Sequence, residues 1–154
     1  MADCSIRFAG PEDLPAILGF IRGLAAYEKL EDQVVATEGL LWEWIFEKKK
    51  AEVLLAEADG KAVGFALFFH NFSTFLGRAG IYLEDLYVLP EYRGRGLGRQ
   101  VIRCLMDRGR QLGYDTLGVR EIYNWNTGSV RCFTSCGFVP VEKTEQGWRY
   151  EAKL

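Results

Sequence analysis

The sequence predicts an α/β (α+β) chain with a mixed central β-sheet flanked by about four α-helices. Three observations lead there. Strand-like and helix-like segments alternate in the order β-α-α-β-β-β-α-β-α-β-β. Asp59-Gly60 joins two of the strands as a hairpin turn. No repeat, linker or low-complexity tract divides the 154 residues, which suits a single domain over 1–154.

Taken in order, Ser5 to Ala9 reads as a first strand. Pro11 to Tyr27 is amphipathic, with Leu14, Ile17, Leu18, Ile21, Leu24 and Ala25 at helical spacing and Pro11 suited to a first turn. Thr37 can cap a second helix over 38–48, its apolar side formed by Leu41, Trp42, Ile45 and Phe46. Ala51 to Ala58 and Lys61 to Phe72 form the hairpin strands, and Ile81 to Leu89 is the next strand. Gly94 to Leu112 reads as a helix facing the core with Leu97, Val101, Ile102, Leu105 and Met106. Thr116 to Ile122 is a strand. Asn126 to Cys136 is a helix with Gly137 as its left-handed stop, and Phe138 to Val141 with Trp148 to Lys153 closes the chain as a hairpin.

Composition narrows the function. Net charge is −2, so no global basic field invites nucleic acid or an acidic membrane surface. The longest apolar stretch, Val63 to Phe69, is far short of the roughly 20 residues of a membrane span. Met1-Ala2-Asp3-Cys4 lacks a basic and then apolar leader, and a cytoplasmic, reduced location is expected. Cys4, Cys104, Cys132 and Cys136 show no metal-ligand or C-x-x-C spacing, so no metal is expected, and Cys132 and Cys136 read as buried free thiols.

Residues 90 to 99 carry the chemistry. Arg93-Gly94-Arg95-Gly96-Leu97-Gly98-Arg99 follows a strand and enters a helix. Glycines let the backbone approach a ligand, and a helix start adds unpaired N–H donors and partial positive charge. The segment therefore reads as an anion site for a phosphate or pyrophosphate. It lacks the Gly-Lys-Ser/Thr of a P-loop, and the third glycine of a dinucleotide fingerprint falls on Arg99. What remains is Arg-x-x-Gly-x-Gly, met by Arg93, Gly96 and Gly98. The alternative is a tight turn with a solvated arginine face.

That pattern, with the preceding Leu86-Tyr87-Val88-Leu89-Pro90-Glu91-Tyr92, resembles the acetyl-CoA loop of the GNAT superfamily of N-acetyltransferases. The likeness extends to Leu24-Ala25-x-Tyr27-Glu28, Gln33-Val34-x-x-Thr37, Tyr82-Leu83-Glu84-Asp85, Trp125-Asn126 and Gly147-Trp148-Arg149, which are similar to the spermidine/spermine (diamine) and thialysine N-acetyltransferases. The resemblance implies acetyl-CoA as co-substrate, held by Leu86, Tyr87, Val88, by Arg93, Gly94, Arg95, Gly96, Leu97, Gly98 and Arg99, and by Asn126, Ser129 and Phe133. It implies an amine pocket with Tyr27, Glu28, Glu84, Arg120 and Glu121, and a homodimer with that pocket near the subunit boundary. A small-molecule primary amine is the expected substrate: thialysine, a lysine-like amino acid or a short diamine or polyamine. The alternatives are a protein or peptide amine, or an acyl-CoA-binding module with weak or no catalysis.

Acetyl transfer to an amine needs a positioned thioester, a neutral amine and a proton for the leaving thiolate. Glu84 is expected to be the amine ligand and possible base, direct or through water; the alternative is an edge carboxylate paired with an arginine. Alternation on a strand would point Glu84 and Asp85 to opposite faces unless a bulge intervenes. The Tyr27-to-Val34 segment, an aromatic followed by acids, suits a polycationic amine or else a solvated loop. His70 reads as a surface residue. Asn126 suits a helix cap as well as a cofactor contact. Two departures from the family stand out. Its pattern Asn-x-x-Ser-x-x-Phe-Tyr aligns with Asn126 to Phe133, so Phe133 occupies the place of the tyrosine acid and has no proton to give. Gln146 stands where the diamine enzymes carry an acid, which would weaken a hold on a second, distant ammonium. Tyr123, Thr134 or water could replace the missing acid.

Overall fold

The computed structural model describes residues 4–154. Met1 to Asp3, part of the N-terminal stretch read for a leader, lie outside the described residues. Seven strands hydrogen-bond in the order β1-β2-β3-β4-β5-β7-β6. They are β1 (Cys4–Phe8), β2 (Glu52–Ala58), β3 (Lys61–Ser73), β4 (Arg78–Val88), β5 (Thr116–Tyr123), β6 (Val139–Lys143) and β7 (Gly147–Lys153). The helices are α1 (Leu14–Tyr27), α2 (Glu38–Leu41), α3 (Leu97–Gln111) and α4 (Thr127–Ser135). The sheet is mixed: β4 and β5 run parallel, whereas β1/β2, β5/β7 and β6/β7 are antiparallel. Among the described residues no helix is long and apolar enough to cross a membrane.

Two compact units divide the chain. One comprises residues up to Leu67 with Leu86–Leu97, the other Phe68–Asp85 with Gly98–Leu154. The core of the first is built on Ile17, Phe20, Ile45, Val53, Leu55, Phe65 and Tyr87. Phe20 stacks on Phe65 with ring centroids 5.6 Å apart and leans on Tyr87 at 6.3 Å. The expected core face of α1 includes Ile17 and omits Phe20, which lies at i+3 from it on the same stripe and is buried, while Ile21 and Leu24 end up only half-buried. In the second unit Ile81, Leu83, Ile102, Leu105 and Leu117 are fully buried, and Phe133 meets Phe138 edge-on at 5.1 Å.

Local chemistry sets most boundaries. Pro11–Asp13 is a 3-10 turn leading into α1, whose Asp13 accepts from the Gly10 N–H at 2.8 Å and holds Arg7 through two nitrogens at 2.8 and 2.9 Å. That hydrogen bond to Arg7 holds the Asp13 carboxyl below its ordinary value, against the opposing effect of burial. A depressed carboxyl stabilises the fold fully above the unfolded value, 3.8 here, and the contribution fades as acid takes the pH down through the lower native value. Asp13→Asn is expected to cost about 1–2 kcal/mol at pH 7, and thermal melts of both proteins should converge as the pH falls below 3.8.

Thr37 caps α2, its Oγ1 accepting from the Leu40 N–H at 3.1 Å. Beyond Leu41 the helix widens into a π-helical segment, Trp42–Glu47. The extra residue per turn rotates the apolar stripe, so Ile45 is buried but Trp42, expected inside, is 44% exposed. Asp59 and Gly60 both take positive φ, 55° and 76°, as the two-residue hairpin turn requires. α3 begins at Leu97 rather than at Gly94, because Gly94 and Gly96 sit at φ +79°, outside helical space. Its five expected core residues are all buried. Cys132 and Cys136 are free and half-buried rather than buried, and Cys104 and Cys132 are pushed up by the burial they do have.

Candidate active site

The glycine loop grows out of the end of β4. A 3-10 turn at Pro90–Tyr92 buries the Tyr92 ring, and its hydroxyl donates to Asp59 Oδ2 at 3.2 Å. Lys61 and Arg95 both lie over that ring, at 5.4 and 4.9 Å. Gly94 and Gly96 then turn the chain, and a Cβ built on either meets nothing within 4 Å. The loop's inner surface is thus open to a ligand, and the first-turn amides of α3 follow it without intrahelical partners. Arg99 donates through Nε to Ser135 Oγ at 2.8 Å, and Ser135 in turn donates to the Cys132 carbonyl. Arg93 folds back: its Nε donates to the Val88 carbonyl at 2.8 Å, with the guanidinium over both Tyr27 and Tyr87. Tyr27 is the last residue of α1 and Glu28 its cap.

A second group assembles on β4, β5 and β7. β4 and β5 pair at Ile81–Leu117, Tyr82–Gly118 and Leu83–Val119. Glu84 and Asp85 follow directly on β4, and Arg120 and Glu121 on β5. The ladder between β5 and β7 gains one residue here: Val119 pairs with Tyr150 but Ile122 with Trp148, so Arg120 and Glu121 share the place opposite Arg149. Such a bulge re-aims side chains next to active sites. In this stretch Arg120 Nη1 stands 3.5 Å from Glu84 Oε2, its neighbour in the continued β4–β5 register, and 3.6 Å from Asp85 Oδ1. The two acids therefore converge on one guanidinium instead of diverging, and the arginine pairing considered for Glu84 is present. Both contacts are long and Glu84's side chain is 40% exposed, which leaves its carboxylate accessible to a further cation.

Around this pair lie groups to which the motifs assign no role, although the motif stretches contain Tyr82 and Arg149. Arg149 reaches Glu142 at 3.8 Å and Glu151 at 3.7 Å. The Tyr82 hydroxyl is pushed up, chiefly by burial and then by the Glu84 charge. The signal for them was a strand period of two: Tyr82 and Glu84, Gly118 and Arg120, Arg149 and Glu151 each share a face.

Asn126 caps α4, its Oδ1 accepting from the Ser129 N–H at 3.3 Å. One helical span later Phe133 is 3% exposed. Thr134 donates its hydroxyl to the Val130 carbonyl at 2.8 Å, committed to its own helix, and Tyr123 stacks on Trp125 at 5.7 Å. Gln146 is exposed in the β6–β7 turn, and its carbonyl accepts from the Asn124 N–H. His70 is exposed and meets the Tyr114 hydroxyl through Nδ1 at 2.7 Å. No group of three or more metal-ligating side chains occurs among the described residues.

The model of the acetyltransferase (GNAT) family matches residues 14–138. The thialysine N-epsilon-acetyltransferase of Bos taurus is 36% identical over 157 residues, covering 96% of this chain and 91% of its own. The spermidine/spermine N(1)-acetyltransferase-like protein 1 of Homo sapiens is 30% identical over 93% of this chain and 21% of its own, much longer, one. Among solved structures, yncA of Salmonella typhimurium, solved with its cofactor acetyl-CoA, superposes with a TM-score of 0.73 at 24% identity, covering 97% of this chain and 91% of that one.

Proposed function

The chain belongs to the acetyltransferase (GNAT) family, and from that premise we propose that it moves the acetyl group of acetyl-CoA to the primary amine of a lysine-like amino acid or short diamine. The observation that carries this is the Glu84–Asp85 pair, held beside Arg120 on the strand that runs into the open glycine loop. The loop amides, with Arg95 and Arg99, would hold the pyrophosphate of coenzyme A. Asn126 and Ser129 would serve as cap and cofactor contact together.

The amine enters as an ammonium with a pKa near 10.4 and must lose a proton before attack. Glu84 attracts the ammonium and takes that proton, directly or through water. The amine nitrogen then bonds to the thioester carbonyl carbon, the second N–H proton passes to water, and the carbon–sulfur bond breaks. With Phe133 in the acid's place, the departing sulfur leaves as a thiolate and is protonated by water; a thiol reference near 8.5 makes it a tolerable leaving group.

Glu84, Asp85, Glu121, Glu142 and Glu151 outnumber Arg120 and Arg149 in the β4–β5–β7 group, which favours a cation. The two arginines and Gln146 disfavour a second distant ammonium and suit a substrate bearing a carboxylate as well. The relatives named for thialysine agree with this order of preference. A mass-spectrometric screen of thialysine, lysine, ornithine, short diamines and spermidine with acetyl-CoA tests it, and acetylation of none of them would overturn it. The buried Phe133 favours a second reading, a binding module with little turnover, which tight acetyl-CoA binding without transfer would select. A cytoplasmic homodimer completes the proposal; light scattering on the purified protein checks the dimer, and cell fractionation checks the location.

Gly96→Ala probes the loop. An L-residue at φ +79° costs about 1–2 kcal/mol, the free loop relaxes away from it, and ligand binding must restore it. Acetyl-CoA affinity is therefore expected to fall about tenfold by isothermal titration.

A further inference from the structure

The Arg93 guanidinium is fixed on three sides within one unit. It lies 4.9 Å from the Tyr27 ring centroid and 5.3 Å from that of Tyr87, while Nε donates to the Val88 carbonyl at 2.8 Å. Tyr87 is an immobile support: it is 9% exposed, part of the Phe20–Phe65 cluster, and its hydroxyl fills the space a Cβ on Gly23 would take. Tyr27, by contrast, is 42% exposed at the very end of α1, where helices fray. The guanidinium therefore braces the exposed ring against the buried one. Only a planar, always-charged group with a directed N–H can lie on aromatic faces and hold one carbonyl at once; lysine's point charge cannot.

We infer that Arg93, although it opens the glycine loop, is a positioning residue for the amine site: it holds Tyr27 in place against Tyr87 and does not act as a phosphate ligand. The inference rests on the reading of Tyr27 as an amine contact. The loop then has two separable jobs. Its amides are left to receive the anion, and its first side chain reaches backward to set the wall that receives the acceptor.

The test separates the two substrates. Arg93→Lys keeps the charge and loses the planar brace. It is expected to raise KM for the amine about five- to tenfold while the acetyl-CoA Kd stays within about twofold. Tyr27→Leu should produce the same split, and adding Arg93→Lys to it should cost little more, because both remove one contact. An activity-free readout runs in parallel: the Arg93 Nε–H resonance, shielded by the rings, is expected to lose part of its shielding in Tyr27→Leu, keep it in Tyr27→Phe, and keep it when acetyl-CoA is added. A loss of acetyl-CoA affinity of about tenfold or more in Arg93→Lys, the size of a lost charge-assisted contact, would overturn the inference. So would collapse of the shielding on acetyl-CoA binding. Should the wild type acetylate no amine, the proposed reaction falls, while the acetyl-CoA titration and the Nε–H resonance still decide the role of Arg93.

Discussion

Glu84→Gln is expected to lower kcat/KM for the amine by roughly 10²–10³-fold, with acetyl-CoA affinity unchanged within about twofold. Glutamine keeps the volume and one hydrogen-bonding oxygen but removes both the charge that draws the ammonium and the site that takes its proton. Arg120 would remain paired with Asp85 at 3.6 Å, so the local structure has a partner to hold it. The loss should shrink as the pH rises, because more of the amine then arrives already neutral. Steady-state kinetics from pH 7 to 10 on both proteins checks this. Equal losses across that range would show that Glu84 binds the acceptor and does not help deprotonate it.

Phe133→Tyr is the second large effect, and it is a gain. A positioned acid contributes roughly 10²–10⁴ in rate, so restoring a hydroxyl at this place is expected to raise kcat about tenfold or more. The ring is 3% exposed and packs edge-on against Phe138. A hydroxyl enclosed there without a partner would cost about 1–3 kcal/mol of stability instead. Measuring kcat with the melting temperature separates the outcomes. A higher kcat with an unchanged melt identifies a lost acid; an unchanged kcat with a lower melt shows that the ring edge is enclosed and that water supplies the proton.

The sequence was most legible where one residue type has one physical use. Asp59-Gly60 turned as a hairpin, Thr37 and Asn126 capped helices with their own oxygens, and Gly137 ended α4 at φ +91°. It was least legible where geometry depends on neighbours. Nothing in 42–47 announces a π-helical turn, so Trp42 looked apolar and inward yet faces out. Phe20 sits three residues after Ile17 and four before Leu24, on the helical stripe, yet it is absent from the apolar positions expected of α1, and it centres an aromatic cluster reaching across β3 and β4. Glu84 was visible as a carboxylate entering the loop. Its convergence with Asp85 on Arg120 was not, because plain strand alternation sends neighbouring side chains to opposite faces.

That extra residue also bears on how the acceptor pocket can change over evolution. In a regular ladder every position is tied to a partner across the strand, and altering one side chain disturbs its opposite number. At the bulge, Arg120 and Glu121 together face Arg149, so one of the two owes nothing to pairing. Substrate preference can therefore drift at 120 and 121 while the hydrogen-bonded register on either side, Val119 with Tyr150 and Ile122 with Trp148, keeps the sheet intact. Deleting one of them would close the bulge and leave Val119 and Ile122 two residues apart, matching Tyr150 and Trp148, so Ile122 would keep its buried face. What such a deletion would change is the aim of the one side chain left opposite Arg149. The pocket wall is thus free to vary at this point while the sheet on either side of it stays fixed.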